Sequence, residues 1–162
     1  MMLRARTTDV EATRALAAAI ASLAVAGDVI LLSGELGAGK TAFVQGFGAA
    51  LGVEGPITSP TFTLAHQYDG DRLTLHHLDV YRLERLAEID DIGVSELLDG
   101  DGVVVIEWGD VVAPALPRDY LEISLTYGEG DDDRSFELRC VGGRWAARLR
   151  SLEELLQDWA VD

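Results

Sequence analysis

Apolar positions along the chain alternate between helical spacing and short uninterrupted runs. In "TTDVEATRALAAAIASLAVAGD", Leu16, Ile20 and Leu23 share one helical face, and Thr8 with Glu11 has the spacing of a capping box. The next stretch, "DVILLSG", is short and apolar throughout, which is typical of a strand buried on both faces of a parallel sheet. The pattern therefore predicts a helix followed by a buried strand.

A second helix is predicted just beyond this strand, after a glycine-rich turn. In "TAFVQGFGAAL", Phe43, Val44, Phe47 and Leu51 recur at helical spacing. The first third of the chain therefore has the order strand, glycine loop, helix.

The remaining pattern predicts strands and two further helical segments. "TLAHQYDGDRLTLHHLD" has the form of a hairpin, "LERLAEIDDIGVSELLD" that of a helix, and "VVVIEW" that of a second buried strand. "YLEISLTY", "SFELRC" and "RWAARL" alternate apolar and polar residues, which predicts antiparallel strands, and "SLEELLQDWA" is an amphipathic helix. No linker or repeat divides the chain, so we expect one domain over residues 1–162.

Composition narrows the possible settings and partners. The formal net charge is −15, whereas nucleic-acid binders usually carry a basic face, so direct tight binding of RNA or DNA is not expected. No apolar run has the length of a membrane span. The single cysteine, Cys140, allows no internal disulfide, and the whole favours a reduced, cytoplasmic protein.

"GELGAGKT" matches the phosphate-binding pattern G-x-x-x-x-G-K-[ST]. Gly34, Gly37 and Gly39 can adopt positive φ, so that successive backbone N–H groups point at a phosphate, and the following helix adds its partial positive N-terminus. Lys40 would bridge the β- and γ-phosphates, and the Thr41 hydroxyl would ligate Mg²⁺. The predicted nucleotide contacts are Gly34, Glu35, Leu36, Gly37, Ala38, Gly39, Lys40, Thr41 and Ala42.

Two compositional facts refine the ligand. Lys40 is the only lysine in a chain with twelve arginines, which suggests that the site needs a compact ammonium and not a guanidinium. The chain contains no asparagine, so the guanine-recognition motif N-K-x-D is absent. ATP with Mg²⁺ is therefore the expected cofactor pair.

Two loops could supply the other groups of a nucleotide switch. "TSPTF" offers Thr61 as a hydroxyl that closes on Mg²⁺ and the γ-phosphate, although an ordinary turn entering a strand would have the same composition. "HHLDVYRL" places Asp79 at a strand end, where it could hold a metal-bound water or merely cap a helix. His76 and His77 lie on opposite strand faces, so each is expected to pack or hydrogen-bond instead of sharing an ion.

"VVVIEW" resembles the strand that delivers an acidic residue to the metal of P-loop enzymes. It should run beside the strand that precedes the glycine loop, with Glu107 orienting the attacking water or a metal-bound water. Trp108 could lie against the nucleotide or pack in the core. The predicted catalytic residues are therefore Lys40, Thr61, Asp79 and Glu107, and the predicted metal ligands are Thr41, Asp79 and Glu107.

Taken together in this order and spacing, "GELGAGKTAFVQGF", "TSPTF", "HHLDVYRL" and "VVVIEW" resemble the TsaE (YjeE) family. The resemblance covers roughly residues 10–126 and is only general thereafter. It departs at Ala42, where many members carry a second threonine. It implies a P-loop NTPase-like α/β fold, a three-layer sandwich with a mixed central sheet and antiparallel strands toward the C-terminus.

The same resemblance implies a function. Family members are bacterial ATPases that assist formation of N6-threonylcarbamoyladenosine at position 37 of tRNA, together with TsaC, TsaD and TsaB. By this resemblance the chain would dock on the TsaD–TsaB pair and reset it between turnovers, touching tRNA only through those partners. The resemblance also implies that Trp108 lies at the nucleotide together with Glu107.

Two other functions stay open at the level of sequence. A small-molecule kinase would need an acceptor pocket and an arginine-rich lid, neither of which is evident. A nucleotide-dependent binding module that hardly hydrolyses ATP would share every motif named above.

Overall fold

The structure, a computed structural model, describes residues 2–35, 37–58, 65–80, 100–107 and 118–161, together with Glu96, Pro114 and Leu116. Within these residues, seven strands form one sheet: β1 (Met2–Thr7), β2 (Val29–Gly34), β3 (Ala65–Tyr68), β4 (Leu75–Asp79), β5 (Val103–Glu107), β6 (Tyr120–Tyr127) and β7 (Arg134–Val141). Their order across the sheet is β1-β7-β6-β2-β5-β4-β3.

The centre of this sheet is parallel and its margins are antiparallel. Strand β2 lies between β5 and β6 and is parallel to both, and β4 is parallel to β5. The pairs β1–β7, β6–β7 and β3–β4 are antiparallel. The sheet is therefore mixed, and the predicted pairing of "VVVIE" with the strand before the glycine loop is confirmed.

Two of the described helices lie between strands, one after β1 and one after β2, and the other two follow β7. The described helices are α1 (Val10–Ala21), α2 (Lys40–Ala50), α3 (Gly143–Ala146) and α4 (Leu149–Leu155), followed by a 3₁₀ turn at Gln157–Trp159. None of the helices in the described part of the chain has the length and apolar character needed to cross a bilayer.

Side chains on the two faces of the sheet form separate apolar clusters. On β5, Val103 and Val105 join the larger cluster, which includes Phe47 of α2. Val104 and Ile106, which point the other way, are fully buried in a smaller cluster. Because both faces are buried, the sheet has the layering of an α/β sandwich, and the predicted fold class is confirmed.

Helices α1 and α2 pack closely against each other at Gly46. A Cβ atom at this position would lie 2.3 Å from the carbonyl oxygen of Arg14 and 2.6 Å from its Cα. Only glycine permits this approach, which packs α2, the helix that follows the glycine loop, against α1.

A buried carboxylate ties the C-terminal helices to the start of β2. Asp28 is fully buried and accepts hydrogen bonds from the Val25 N–H (2.8 Å), Arg144 Nε (3.1 Å) and both terminal nitrogens of Arg148 (2.6 and 2.8 Å). Burial alone would raise the pKa of Asp28, but the hydrogen bonds from Arg148, Val25 and Arg144 outweigh burial and lower that pKa. The guanidinium of Arg148 also stacks on Trp145, 4.1 Å from the ring centre.

Three local features differ from the sequence prediction. Helix α1 is capped by Asp9, whose side chain accepts from the Ala12 N–H at 2.7 Å, and not by Thr8. "RWAARL" lies in α3 and the start of α4 and is not a strand, because the indole of Trp145 is fully buried in the core on the helical side of the sheet. The pattern does not predict β1, whose buried side chains, Ala5 and Thr7, are small.

The predicted helix "LERLAEIDDIGVSELLD" lies outside the described residues, apart from Glu96.

Candidate functional site

The glycine loop joins the carboxyl end of β2 to the first turn of α2, as predicted. Gly37 and Gly39 have φ of 81° and 106°, and Gly39 is the N-cap residue of α2. Cβ atoms at Gly34 and Gly37 would lie 2.8 Å from the Leu125 carbonyl oxygen and 2.9 Å from the Tyr127 hydroxyl. The loop backbone therefore packs against β6 with no room for a Cβ atom at Gly34, whereas a Cβ atom at Gly37 would displace the Tyr127 hydroxyl.

Lys40 is buried at the start of α2 and folds back over the loop. Its Nζ donates a hydrogen bond to the Gly34 carbonyl oxygen at 2.5 Å. Burial lowers the pKa of Lys40, while the nearby carboxylates of Glu107 and Asp79 act in the opposite direction. The ammonium is thus placed between the loop and two carboxylates.

Those two carboxylates stand side by side at the ends of neighbouring parallel strands. Asp79 of β4 is the register partner of Glu107 of β5, and the two residues are 7% and 3% exposed. The alternation of β5 places Glu107 on the face of Val105, which is the face that α2 covers. Carboxyl ends of parallel strands beside a glycine loop are where α/β proteins bind ligands.

Glu107 is held by a histidine from the adjacent strand. His77 Nε2 lies 2.5 Å from Glu107 Oε2, and the two side chains are 0% and 4% exposed. The expectation that His77 packs or hydrogen-bonds is confirmed, although its partner could not be identified from the sequence pattern.

Two side chains from β6 and β7 meet the outside of the glycine loop. Arg134 Nε donates to the Ala38 carbonyl oxygen at 2.9 Å, and the Arg134 guanidinium lies 4.7 Å from the ring centre of Tyr127. Sequence reasoning missed both residues. The signal that could have found them is topological, since β6 is parallel to β2 and its carboxyl end therefore lies beside the loop.

The remaining predicted contacts divide between described and undescribed residues. Glu35 is exposed, Ala38 is buried, and Thr41 and Ala42 are half-buried in the first turn of α2. Leu36, Thr61 and Trp108 lie outside the described residues, so their predicted roles stay predictions.

The residues present fit a nucleotide with Mg²⁺. The loop offers backbone amides at a helix N-terminus, an ammonium and the Thr41 hydroxyl, which is the donor set that a phosphate chain requires. Among the described residues, no three His, Cys, Asp or Glu side chains cluster as a metal site. Mg²⁺ does not need such a cluster, because it is usually held by one or two protein oxygens together with phosphates and waters.

Comparison with known proteins finds relatives over most of the chain. The family model described as "Threonylcarbamoyl adenosine biosynthesis protein TsaE" matches residues 7–136. The chain is 41% identical over 143 residues to the Bacillus subtilis protein named "tRNA threonylcarbamoyladenosine biosynthesis protein TsaE", covering 88% of this chain and 89% of the relative. It is 42% identical over 139 residues to the protein of the same name from Streptomyces coelicolor, covering 82% and 93%.

A solved structure agrees with these sequence matches. The crystal structure of Bacillus subtilis YdiB superposes with a TM-score of 0.82 at 35% identity, covering 95% of each chain. The family model spans most of the sheet and the whole glycine loop, and the fold is shared over nearly the full length. The chain belongs to the TsaE family.

Proposed function

We propose that this chain binds and hydrolyses MgATP as an accessory subunit in the formation of N6-threonylcarbamoyladenosine at position 37 of tRNA. It would act on the TsaD–TsaB pair and allow that pair to turn over repeatedly. The observation that carries the proposal is the meeting of Lys40, Asp79 and Glu107 at the carboxyl ends of β2, β4 and β5. Family membership supports the biosynthetic pathway.

The glycine loop and Lys40 would bind the triphosphate. Lys40 Nζ already lies against the loop, on the Gly34 carbonyl, so a small movement of its side chain exchanges that oxygen for phosphate oxygens. Thr41, one residue on, would ligate Mg²⁺ through its hydroxyl. The ion, when bound, neutralises charge on the phosphates.

Glu107 and Asp79 would act on water. Each carboxylate is buried at a strand end, where it can accept a hydrogen bond from a water and fix the direction of its lone pairs. We assign Glu107, which His77 holds by a hydrogen bond, to the attacking water, and Asp79 to a water bound to the metal.

The charge of the chain fits a subunit that reaches tRNA through partners. With a net charge of −15, the surface repels phosphate backbones, and basic surfaces of other proteins would be attracted to it. The proposal therefore places tRNA contacts on TsaD and TsaB.

Calorimetry and a reconstituted assay test the proposal together. Titration of the chain with ATP and Mg²⁺ should show binding, and Lys40→Met should weaken it. With TsaD, TsaB, tRNA and threonylcarbamoyl-adenylate, wild type should support many rounds of modification, whereas Glu107→Ala should bind ATP yet stop at about one round. Glu122→Ala is the matched control, because Glu122 lies on β6 in a partly exposed pair with Arg139.

The other outcomes are distinct. Absence of heat with MgATP would refute nucleotide binding. Phosphate found on a metabolite would indicate a kinase, and full turnover by Glu107→Ala would indicate a module that works without hydrolysis.

A further inference from the structure

Among the described residues of the site, His77 is the most completely buried polar side chain, and only one of its two ring nitrogens has a hydrogen-bond partner. Its Nε2 lies 2.5 Å from Glu107 Oε2. Its Nδ1 is also buried and has no hydrogen-bond partner among the described residues. One nitrogen of the ring is therefore committed to Glu107, and the other contacts no polar group that the structure describes.

This asymmetry indicates which nitrogen carries the proton. A neutral imidazole has one N–H donor and one bare acceptor. A carboxylate can only accept, so the nitrogen that faces Oε2 is the donor. A proton on Nδ1 would leave a buried N–H without a partner, which is more costly than a hydrogen-bonded one. The arrangement is thus Nε2–H donating to Oε2.

We propose that His77 is a positioning residue for Glu107. Its hydrogen bond occupies Oε2 and fixes the rotation of the carboxylate, so that only Oε1 is available to the phosphate site. The negative charge of Glu107 acts to raise the pKa of Lys40, so Glu107 lies close enough to the glycine loop to interact electrostatically with its lysine. The inference rests on the proposed function, because it gives Glu107 one usable oxygen for the attacking water.

His76 provides a matched control on the same strand. It precedes His77, points to the other face of β4 and is half-buried. Its substitution perturbs the opposite face of β4 without touching Glu107. A general loss of strand stability would affect variants at both positions, whereas loss of carboxylate orientation would affect only those at His77.

The first measurement needs no nucleotide. The chain contains only three histidines, so nitrogen NMR of ring-labelled protein can be assigned with single His→Gln variants. We expect His77 to show a protonated Nε2 and a bare Nδ1, and we expect Glu107→Ala to change the His77 signals but not those of His76. A proton resident on Nδ1, or no response to Glu107→Ala, would overturn the proposal.

The second measurement separates positioning from folding. His77→Leu should reduce ATP turnover by about ten- to a hundred-fold, as loss of an outer residue does in metal sites, with MgADP affinity within about twofold of wild type. His77→Gln, whose amide can donate, should recover part of the turnover, and His76→Leu should retain it. In a Glu107→Ala background, His77→Leu should have no further effect.

The outcomes are separable from failure of the proposed function. If wild type does not bind MgATP, the function fails, but the NMR result still decides whether His77 orients Glu107. If His77→Leu does not fold, His77→Gln and the wild-type spectrum carry the test. Equal turnover of His77→Leu and wild type, or loss of turnover that persists at the same factor without Glu107, contradicts the inference.

Discussion

Replacing Asp28 with asparagine should destabilise the fold, because it removes a buried charge that four hydrogen bonds hold. The two carboxylate oxygens accept four hydrogen bonds, and each oxygen serves two donors. Whichever oxygen becomes the amide nitrogen of Asp28→Asn, two donors then face a donor. The substitution keeps shape and volume, so the effect reports the charge and the hydrogen bonds of the side chain and not its packing.

The magnitude follows from the environment of the three side chains. Removing one partner of a buried ion pair costs about 3–5 kcal/mol in general. The Asp28 side chain is 0% exposed, but those of Arg144 and Arg148 are 40% and 19% exposed and can regain water. We therefore expect a loss of about 2–3 kcal/mol in the free energy of unfolding. At this chain length that corresponds to a Tm lower by about 5–10 °C.

Urea unfolding followed by circular dichroism measures this loss. Asp132→Asn is the control, because Asp132 is exposed in the β6–β7 turn and should unfold within about 0.5 kcal/mol of wild type. A difference that small for Asp28→Asn would refute the argument that the buried carboxylate ties α3 and α4 to the sheet.

The lowered pKa of Asp28 predicts the direction in which the stability contribution of this carboxylate changes with pH. The folded-state pKa of Asp28 is lowered, so its contribution is complete above the ordinary aspartate value of about 3.9 and is lost as pH falls through the lower folded value. The stability gap between wild type and Asp28→Asn should therefore stay constant from about pH 7 to pH 5 and shrink below about pH 4. A gap that widens with acid would contradict the assignment.

Two further predictions concern backbone approach and the glycine loop. Gly46→Ala should lower the free energy of unfolding by about 1–3 kcal/mol, because the new Cβ atom would collide with the backbone of Arg14. The control is Gly143→Ala, which should change stability little because the space around Gly143 is open, and thermal unfolding compares the two variants. Arg134→Met should weaken MgADP binding by about three- to ten-fold, as measured by calorimetry, because it removes the hydrogen bond to the Ala38 carbonyl oxygen. The stability of this variant should stay near that of wild type. Unchanged affinity would show that the glycine loop holds its shape without Arg134.

Sequence patterns predict the elements around the glycine loop well, for a physical reason. Strands β2 and β5 are buried on both faces, so residues 29–32 and 103–106 are apolar without interruption. The glycines mark backbone that other residues would strain, because Gly34 has no room for a Cβ atom and Gly37 and Gly39 have positive φ. Local chemistry dictates both features, and no distant partner is needed to recognise them.

Other features depend on partners far along the chain. The hydrogen bond between His77 and Glu107 joins residues 30 apart and exists only through the register of β4 on β5. The bonds from Arg144 and Arg148 to Asp28 span 116 and 120 residues. The prediction of a strand at "RWAARL" was wrong for a related reason, because a pattern of six residues is too short to distinguish a strand from a short helix whose tryptophan enters the core.

The order of strands in the sheet has a consequence for how the protein is made. Strand β2 leads into the glycine loop, yet both of its neighbours in the sheet, β5 and β6, begin only at Val103 and Tyr120. At ribosomal speeds of about 5–20 residues per second, the emerging β2 would wait on the order of ten seconds for these two strands. During that interval the edges of an apolar strand are unpaired, and a ligand at the glycine loop could not yet stabilise the nascent chain, because β5 and β6 do not yet flank the loop.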